Sequence, residues 1–414
     1  MLGKAGVLAF VCRPGLLTIR ICLRGFPLHL WFTIVSATAN ITRVLLPRRP
    51  STPMYPSALL LCLTLAAGAQ TPDPDSYTAW RDQMRPLIPR NYVCPRAKTP
   101  PVIDGKLTDP AWAAAPWTAD FVDIQGTAKP KPRLRTRAKM LWDDNFLYVA
   151  AELEEPDVWA TLTTHDAVIF NDPDFEVFID PGGCSHDYFE FEINALNTSW
   201  DLFLDKPYKD RGHPDDGWNI PGLRSAVQVH GTLNQPADRD RGWTVEIAFP
   251  WRAYASRVKR TLPPREGDQM RMGFSRVEWQ VTTSGGRYVK TPNVAENNWI
   301  WSPQGVIDMH RPERWGYVQF SKETSSKFVP DPSAPARDVL HDIYYSQRAF
   351  NKLHGRWAAT LAELGLPAAD HGTVAAPVLT RTWDGWRASV ILTRPAAPPQ
   401  LWCIRQDARV WQEN

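Results

Sequence analysis

The stretch DFEVFIDPGGCSHDYFEFEINALNTSWDL, from Asp174 to Leu202, constrains the fold more than any other part of the chain. With a period of two, Phe175, Val177 and Ile179 point one way, and Glu176, Phe178 and Asp180 the other. After the Pro181-Gly182-Gly183 turn the alternation resumes. Phe189, Phe191 and Ile193 share one face; Tyr188, Glu190, Glu192 and Asn194 share the opposite one. Such a pattern predicts a hairpin whose apolar face must be buried under a second layer. The other face is rich in carboxylates. Four readings of those acids are open: a catalytic pair, a metal site, acceptors for sugar hydroxyls, or a solvated sheet surface.

Further short runs support an all-β body. AKMLWDDNFLYVAAELE holds two strands around an Asp143-Asp144-Asn145 turn, and Ala226–Gly231, Gly242–Phe249, Gln269–Glu278 and Gly316–Phe320 read as others. Their spacing predicts a β-sandwich over residues 98–322, and the 38 Pro and 19 Trp fit a strand-and-turn body better than a helical one. Residues 70–97 read as an extended lead-in with one short helix near Tyr77–Met84. Residues 323–337, within SKETSSKFVPDPSAPA, read as a linker. Residues 338–414 read as a small C-terminal α+β tail. Its helix carries Val339, Ile343, Phe350 and Leu353 on one stripe, and strands follow at Pro377–Trp383, Trp386–Arg394 and Leu401–Trp411. This tail is too small to be an independent core and is expected to need a partner surface.

Charge is unevenly placed. Residues 1–69 carry seven Lys and Arg and no acid, which leaves 40 basic against 44 acidic groups in the remainder. A mildly acidic body gives no electrostatic reason to expect nucleic acid. MYPSALLLCLTLAAGAQ, from Met54, has an apolar run followed by Ala67-Gly68-Ala69, the pattern of a signal peptide over residues 54–69. Residues 1–53 then read as a leader or as a start codon chosen too early. The mature chain is expected to begin at Gln70, to be secreted or periplasmic, and to lack a membrane span. It would keep only Cys94, Cys184 and Cys403, too few for a disulfide framework.

The segments PVIDGKLTDPAW (101–112), LWDDNFLYVAAELEEPDVWA (141–160), NDPDFEVFIDP (171–181), GWTVEIAFPW (242–251) and NNWIWSPQGVIDMHRPERWGYVQFS (297–321) occur in that order. They resemble carbohydrate-binding module family 9 domains, within the wider group of DOMON-like sandwiches. The resemblance implies a jelly-roll-like β-sandwich that binds an oligosaccharide or polysaccharide and is often joined to glycan-degrading enzymes. It also implies a site in which two aromatic rings clamp a sugar and polar groups bond its hydroxyls. Counted from FEVFID, the first ring position is Phe170; counted back from Trp315-Gly316, the second is Met309. The family's acidic and Asn positions fall on Glu176 and Asn194, and its Arg position on Glu192, an inverted charge. Of Trp299 and Trp301, one is expected to face the site. Trp218, in a loop, could reach a ligand.

The resulting expectation is a non-catalytic, secreted glycan-binding protein with a site at Phe170, Glu176, Glu192, Asn194, Trp299 and Met309. A glycoside hydrolase or its accessory subunit, and a structural or adhesion module with a decayed site, are the alternatives. No cofactor is required by this reading. Asp172, Asp174, Asp180, Asp187, Asp205, Asp215 and Asp216 near turns leave a structural calcium open. His165, His186, His213 and His310 read as polar loop residues.

Overall fold

The computed structural model describes residues 10–13, 16–19, 32–34 and 73–413. The signal-peptide reading of 54–69 and most of the leader lie outside them. The chain divides into two units, Met1–Gly68 and Ala69–Asn414. In the first, β1 (Phe10–Arg13), β2 (Leu16–Ile19) and β3 (Phe32–Ile34) form a small antiparallel sheet.

The second unit is built on two facing sheets. The larger runs β11 (Pro214–Asp215), β10 (Ser199–Leu204), β9 (Tyr188–Asn194), β8 (Asp174–Asp180), β14 (Gln269–Glu278), β17 (Asn297–Ile300) and β5 (Val122–Asp123). Off this path, β18 (Gly316–Ser321) pairs with β14 and, in parallel, with β4 (Asn91–Pro95). The smaller sheet is β12 (Arg224–His230), β13 (Gly242–Pro250), β7 (Phe146–Glu154) and β6 (Thr136–Trp142), all antiparallel. The inward sets predicted from alternation meet between them: Phe175, Val177, Ile179, Phe189, Phe191 and Ile193 face Val149, Val245, Ile247 and Phe249 in one core. A β-sandwich is therefore the architecture.

Two of the quoted motifs are one hydrogen-bonded unit. The buried Glu246 of β13 accepts from the backbone N–H of Asp104 and Gly105 at 2.8 and 2.7 Å and from Trp112 Nε1 at 2.7 Å. Gly105 sits at φ +82°, and a Cβ there would lie 2.7 Å from the Val227 carbonyl carbon. Only glycine lets this segment lie against the sheet. A polar hairpin, β15 (Val281–Ser284) and β16 (Arg287–Lys290), turns at Gly285-Gly286 and was not expected.

The lead-in is more ordered than expected. Tyr77–Met84 is helical, as α1 (Tyr77–Ala79) and a wider turn over Trp80–Met84, and β4 joins the main sheet. After a single turn at Trp251–Ala255 (α2), the remaining helix is α3 (Ala334–His354), which begins inside the predicted linker. Leu353 is exposed, so the predicted stripe does not hold to the end. The buried face instead gathers Ala336, Val339, Leu340, Ile343, Tyr344 and Tyr345. They pack on Trp80 and on the tail sheet of β19 (Val378–Arg381), β20 (Trp386–Arg394), β21 (Ala397–Arg405) and β22 (Val410–Glu413). The single strand predicted over Leu401–Trp411 is two, split by a turn at which Ala408 adopts φ +64°.

Tail and sandwich share buried charge. Tyr344 donates to Asp210 Oδ1, Arg314 to Asp338 Oδ1 at 2.8 Å, and Arg311 to Tyr345 Oη at 3.2 Å. Burial alone would raise the Glu313 carboxyl, but Lys209, His341 and Arg311 pull it down to about 2. Cys94, Cys184 and Cys403 are unbridged. Among the described residues, no helix is long and apolar enough to cross a membrane.

Candidate functional site

Register places the acids as the alternation predicts. On the outer face of the larger sheet Glu176 lies opposite Glu192, Phe178 opposite Glu190, and Asp174 opposite Asn194. On the other side of β8, Ser275 lies opposite Glu176. At the Phe178 end this face is closed by a cluster of Phe178, Tyr188, Leu202, Leu204 and Trp315. Trp315 lies flat there because Gly273 has no side chain; a Cβ would come within 3.2 Å of the indole.

Four acids, Asp174, Glu176, Glu190 and Glu192, are buried there together. Oxygens of Asp174, Glu176 and Glu192 lie within 4.8 Å of one another. No Lys or Arg forms an ion pair with these four among the described residues. Burial pushes Glu176 up to about 7. Burial and then neighbouring carboxylates push Asp174, Glu190 and Glu192 well above the usual range. Asp174 Oδ2 and Glu176 Oε2 are buried without a hydrogen-bond partner, and the Ser275 hydroxyl beside Glu176 partly offsets the upward push of burial on its carboxyl. A buried acceptor without a donor is costly, so this recess is suited to donors brought by a ligand.

Two half-exposed rings stand beside the acids. Phe170, 40% exposed, is held in a single turn (Ile169–Asn171) by its own backbone: its N–H donates to Glu192 Oε2 at 3.0 Å, and its carbonyl accepts from Trp279 Nε1 at 2.9 Å. Tyr208, 43% exposed, packs edge-on against His310, whose Nε2 is 3.9 Å from Glu190 Oε2. Burial, then Glu190 and Glu192, raise the Tyr208 hydroxyl well above its ordinary range. Glu190 and Glu192 are two residues apart on one strand, about 7 Å. Tyr208 was missed by sequence reasoning, because a turn residue in a loop gives no periodic signal.

Three expected site residues are used otherwise. Asn194 spends its whole side chain on the fold: Nδ2 donates to Leu162 O and Asp172 Oδ2, and Oδ1 accepts from Leu196 and Thr198 N–H. Neither Trp299 nor Trp301 faces the recess. Both are buried in the core, Trp301 against Phe274 and Trp299 beneath the Arg133 and Arg276 guanidinium groups. Met309 packs against the Trp315 cluster, and its carbonyl accepts from Trp315 Nε1. Trp218 rests on Phe189 and Phe203 and does not reach the recess region as a free ring. His186 is buried and His310 half-buried rather than surface groups; desolvation lowers His310 to about 4, so it is a neutral ring there.

No curated protein matches the chain. Among solved structures it is similar to a carbohydrate binding module family 9 of Caldicellulosiruptor kristjanssonii in complex with cellotriose, at 18% identity and TM-score 0.38, covering 58% of this chain and 99% of that one. The same organism's module in complex with glucose aligns at 17% identity and TM-score 0.38, covering 58% and 100%. A Bacteroides uniformis ATCC 8492 protein proposed to bind carbohydrate aligns at 13% identity and TM-score 0.43, covering 56% and 99%. The family model described as "Carbohydrate family 9 binding domain-like" matches residues 103–321, more than half of the chain. The chain belongs to the carbohydrate family 9 binding domain-like family.

Proposed function

We propose that this is a secreted or periplasmic, non-catalytic protein that binds a neutral or amino-bearing saccharide in the recess between Phe170 and Tyr208. The observation that carries the reading is the row of buried carboxylates, with partnerless oxygens on Asp174 and Glu176, between two half-exposed aromatic rings. Ring faces stack on sugar C–H groups, and acceptor oxygens take sugar O–H or N–H donors. In this reading Tyr208, rather than the packed Met309, supplies the second ring. A uronic sugar would bring a further negative charge to a site that already lacks a cation, and is disfavoured. Export is supported by the apolar run and Ala67-Gly68-Ala69.

A glycan array on the full chain, followed by titration calorimetry with neutral, amino and uronic oligosaccharides, tests this. Phe170→Ala and Tyr208→Ala should each weaken binding about two- to tenfold, the value of a lost stacking contact. The reading fails if no glycan binds, if uronic acids bind best, or if neither variant changes affinity.

A further inference from the structure

Four arginines are buried among the described residues: Arg271, Arg276, Arg311 and Arg314. Three of them are paired with carboxylates. Arg276 meets Glu155 and Glu278, both at 2.7 Å, Arg311 meets Asp75 at 2.6 Å, and Arg314 meets Asp338 at 2.8 Å. Arg271 forms no ion pair among the described residues. Its Nη2 donates to the Glu313 carbonyl at 2.7 Å, and its guanidinium carbon lies 3.9 Å from the centre of the Tyr317 ring. A guanidinium stays charged when buried, so leaving it without a counter-charge is costly.

Register places Arg271 of β14 opposite Asp180 of β8 and Tyr317 of β18, on the outer face of the larger sheet. The Trp315 cluster separates it from the carboxylate row. Asp180 is close in register but turns its oxygens to the Cys184 and Ser185 N–H groups, at 3.3 and 2.8 Å. A cleft of about 350 Å³ opens at Arg271, between the lead-in, this sheet and the start of α3. The other charges lining it are already matched. Arg85 meets Asp342 at 3.1 Å, Arg314 meets Asp338, and Arg337 lies 3.5 Å from Asp331. Glu313 accepts from the Tyr345 hydroxyl and lies in the field of Lys209 and Arg311. The charge left over is the one on Arg271. The rest of the lining includes the half-buried Leu87, the 87% exposed Ile88, and Phe328, whose ring lies 6.1 Å from that of Tyr317.

We propose that this cleft binds a small organic monocarboxylate, with its carboxylate on Arg271 and its apolar body against Leu87, Ile88 and Phe328. The planar guanidinium offers N–H donors in the geometry that a carboxylate accepts, and supplies the one unmatched positive charge. A single negative charge balances it. A phosphate dianion would carry an excess charge in among Asp331, Asp338 and Glu313. The cleft is also far larger than a bare oxyanion, and its apolar lining gives such an ion nothing to contact. The site is separate from the carbohydrate reading and stands whether or not a glycan binds.

The test is titration calorimetry with ligand-observed NMR on the full chain. The probes are hexanoate and 3-phenylpropionate, their primary amides as neutral counterparts, and inorganic phosphate as a bare oxyanion. At least one carboxylate should bind with a Kd of about 1 mM or tighter. Its amide should bind at least about tenfold more weakly, because the charge-assisted contact to Arg271 is gone. Phosphate should not compete. Arg271→Met should abolish the preference for acid over amide, and should leave Tm no lower, since it removes a buried charge that has no partner. Ile88→Asp changes an exposed residue, so the fold is kept, and should weaken carboxylate binding about two- to fivefold through like-charge repulsion at the rim. If Arg271→Met does not fold, Ile88→Asp decides alone. No binding of either acid at about 10 mM, equal binding of acid and amide, competition by phosphate, or an unchanged acid preference in the variants overturns the assignment.

Discussion

Glu176→Gln isolates the cost of the buried acids in one isosteric change. Burial raises the Glu176 carboxyl from 4.5 to about 7. Because the folded-state value lies above the unfolded one, the stability it contributes is complete below about pH 4.5. It is lost as pH rises through 7, and the penalty is constant above that. At about 1.4 kcal/mol per pH unit, the interval corresponds to about 3 kcal/mol. Burial and then neighbouring carboxylates raise Asp174, Glu190 and Glu192 as well.

Glutamine cannot ionise, so the variant should escape that loss. Urea denaturation of the full chain and of Glu176→Gln, at intervals from pH 4.5 to 8.5, measures the difference directly. Near pH 4.5 the two proteins should have similar stability, because both carry a neutral side chain at this position. By pH 8 the variant should be more stable by about 3 kcal/mol, with the midpoint of the divergence near pH 6. A difference that stays flat across the range refutes the reasoning, since it would mean the carboxylate is already ionised and compensated by a donor or cation.

Two further changes test the rest of the architecture. Ending the chain after Lys322 uncovers Arg311, Glu313 and Arg314, whose partners Tyr345 and Asp338 lie on α3, so the sandwich alone should lose cooperative melting by circular dichroism. A shortened chain that melts as sharply as the full one would count against shared burial. Asn194→Ala removes four hydrogen bonds of a buried side chain and should cost at least 2 kcal/mol in denaturant titrations; an unchanged midpoint would show that the 162 loop and the 194–198 turn hold without it.

What could be read from sequence was whatever repeats at short range. Phe175, Val177, Phe189 and Phe191 alternate, and alternation alone places them in the core and Glu176, Glu190 and Glu192 on the opposite face. The β15–β16 hairpin escaped because both of its faces are largely exposed, so no apolar period marks it. Trp299 was misjudged for a different reason. Alternation assumes that one side of a strand stays open, but Arg133 and Arg276 cover its ring while Trp301 leaves the sheet to pack on Phe274. Asn194 has the right position and the wrong duty, because its bonds to Leu162 and Asp172 depend on a loop whose path no local pattern fixes. The same limit hid His165 and Asp201. They are 36 residues apart and meet only because β10 pairs with β9 and the loop returns to the sheet edge. Contacts made within one sheet face are legible from period two, and contacts made where loops return to an edge are not, so the carboxylate row could be anticipated and the meeting of His165 with Asp201 could not.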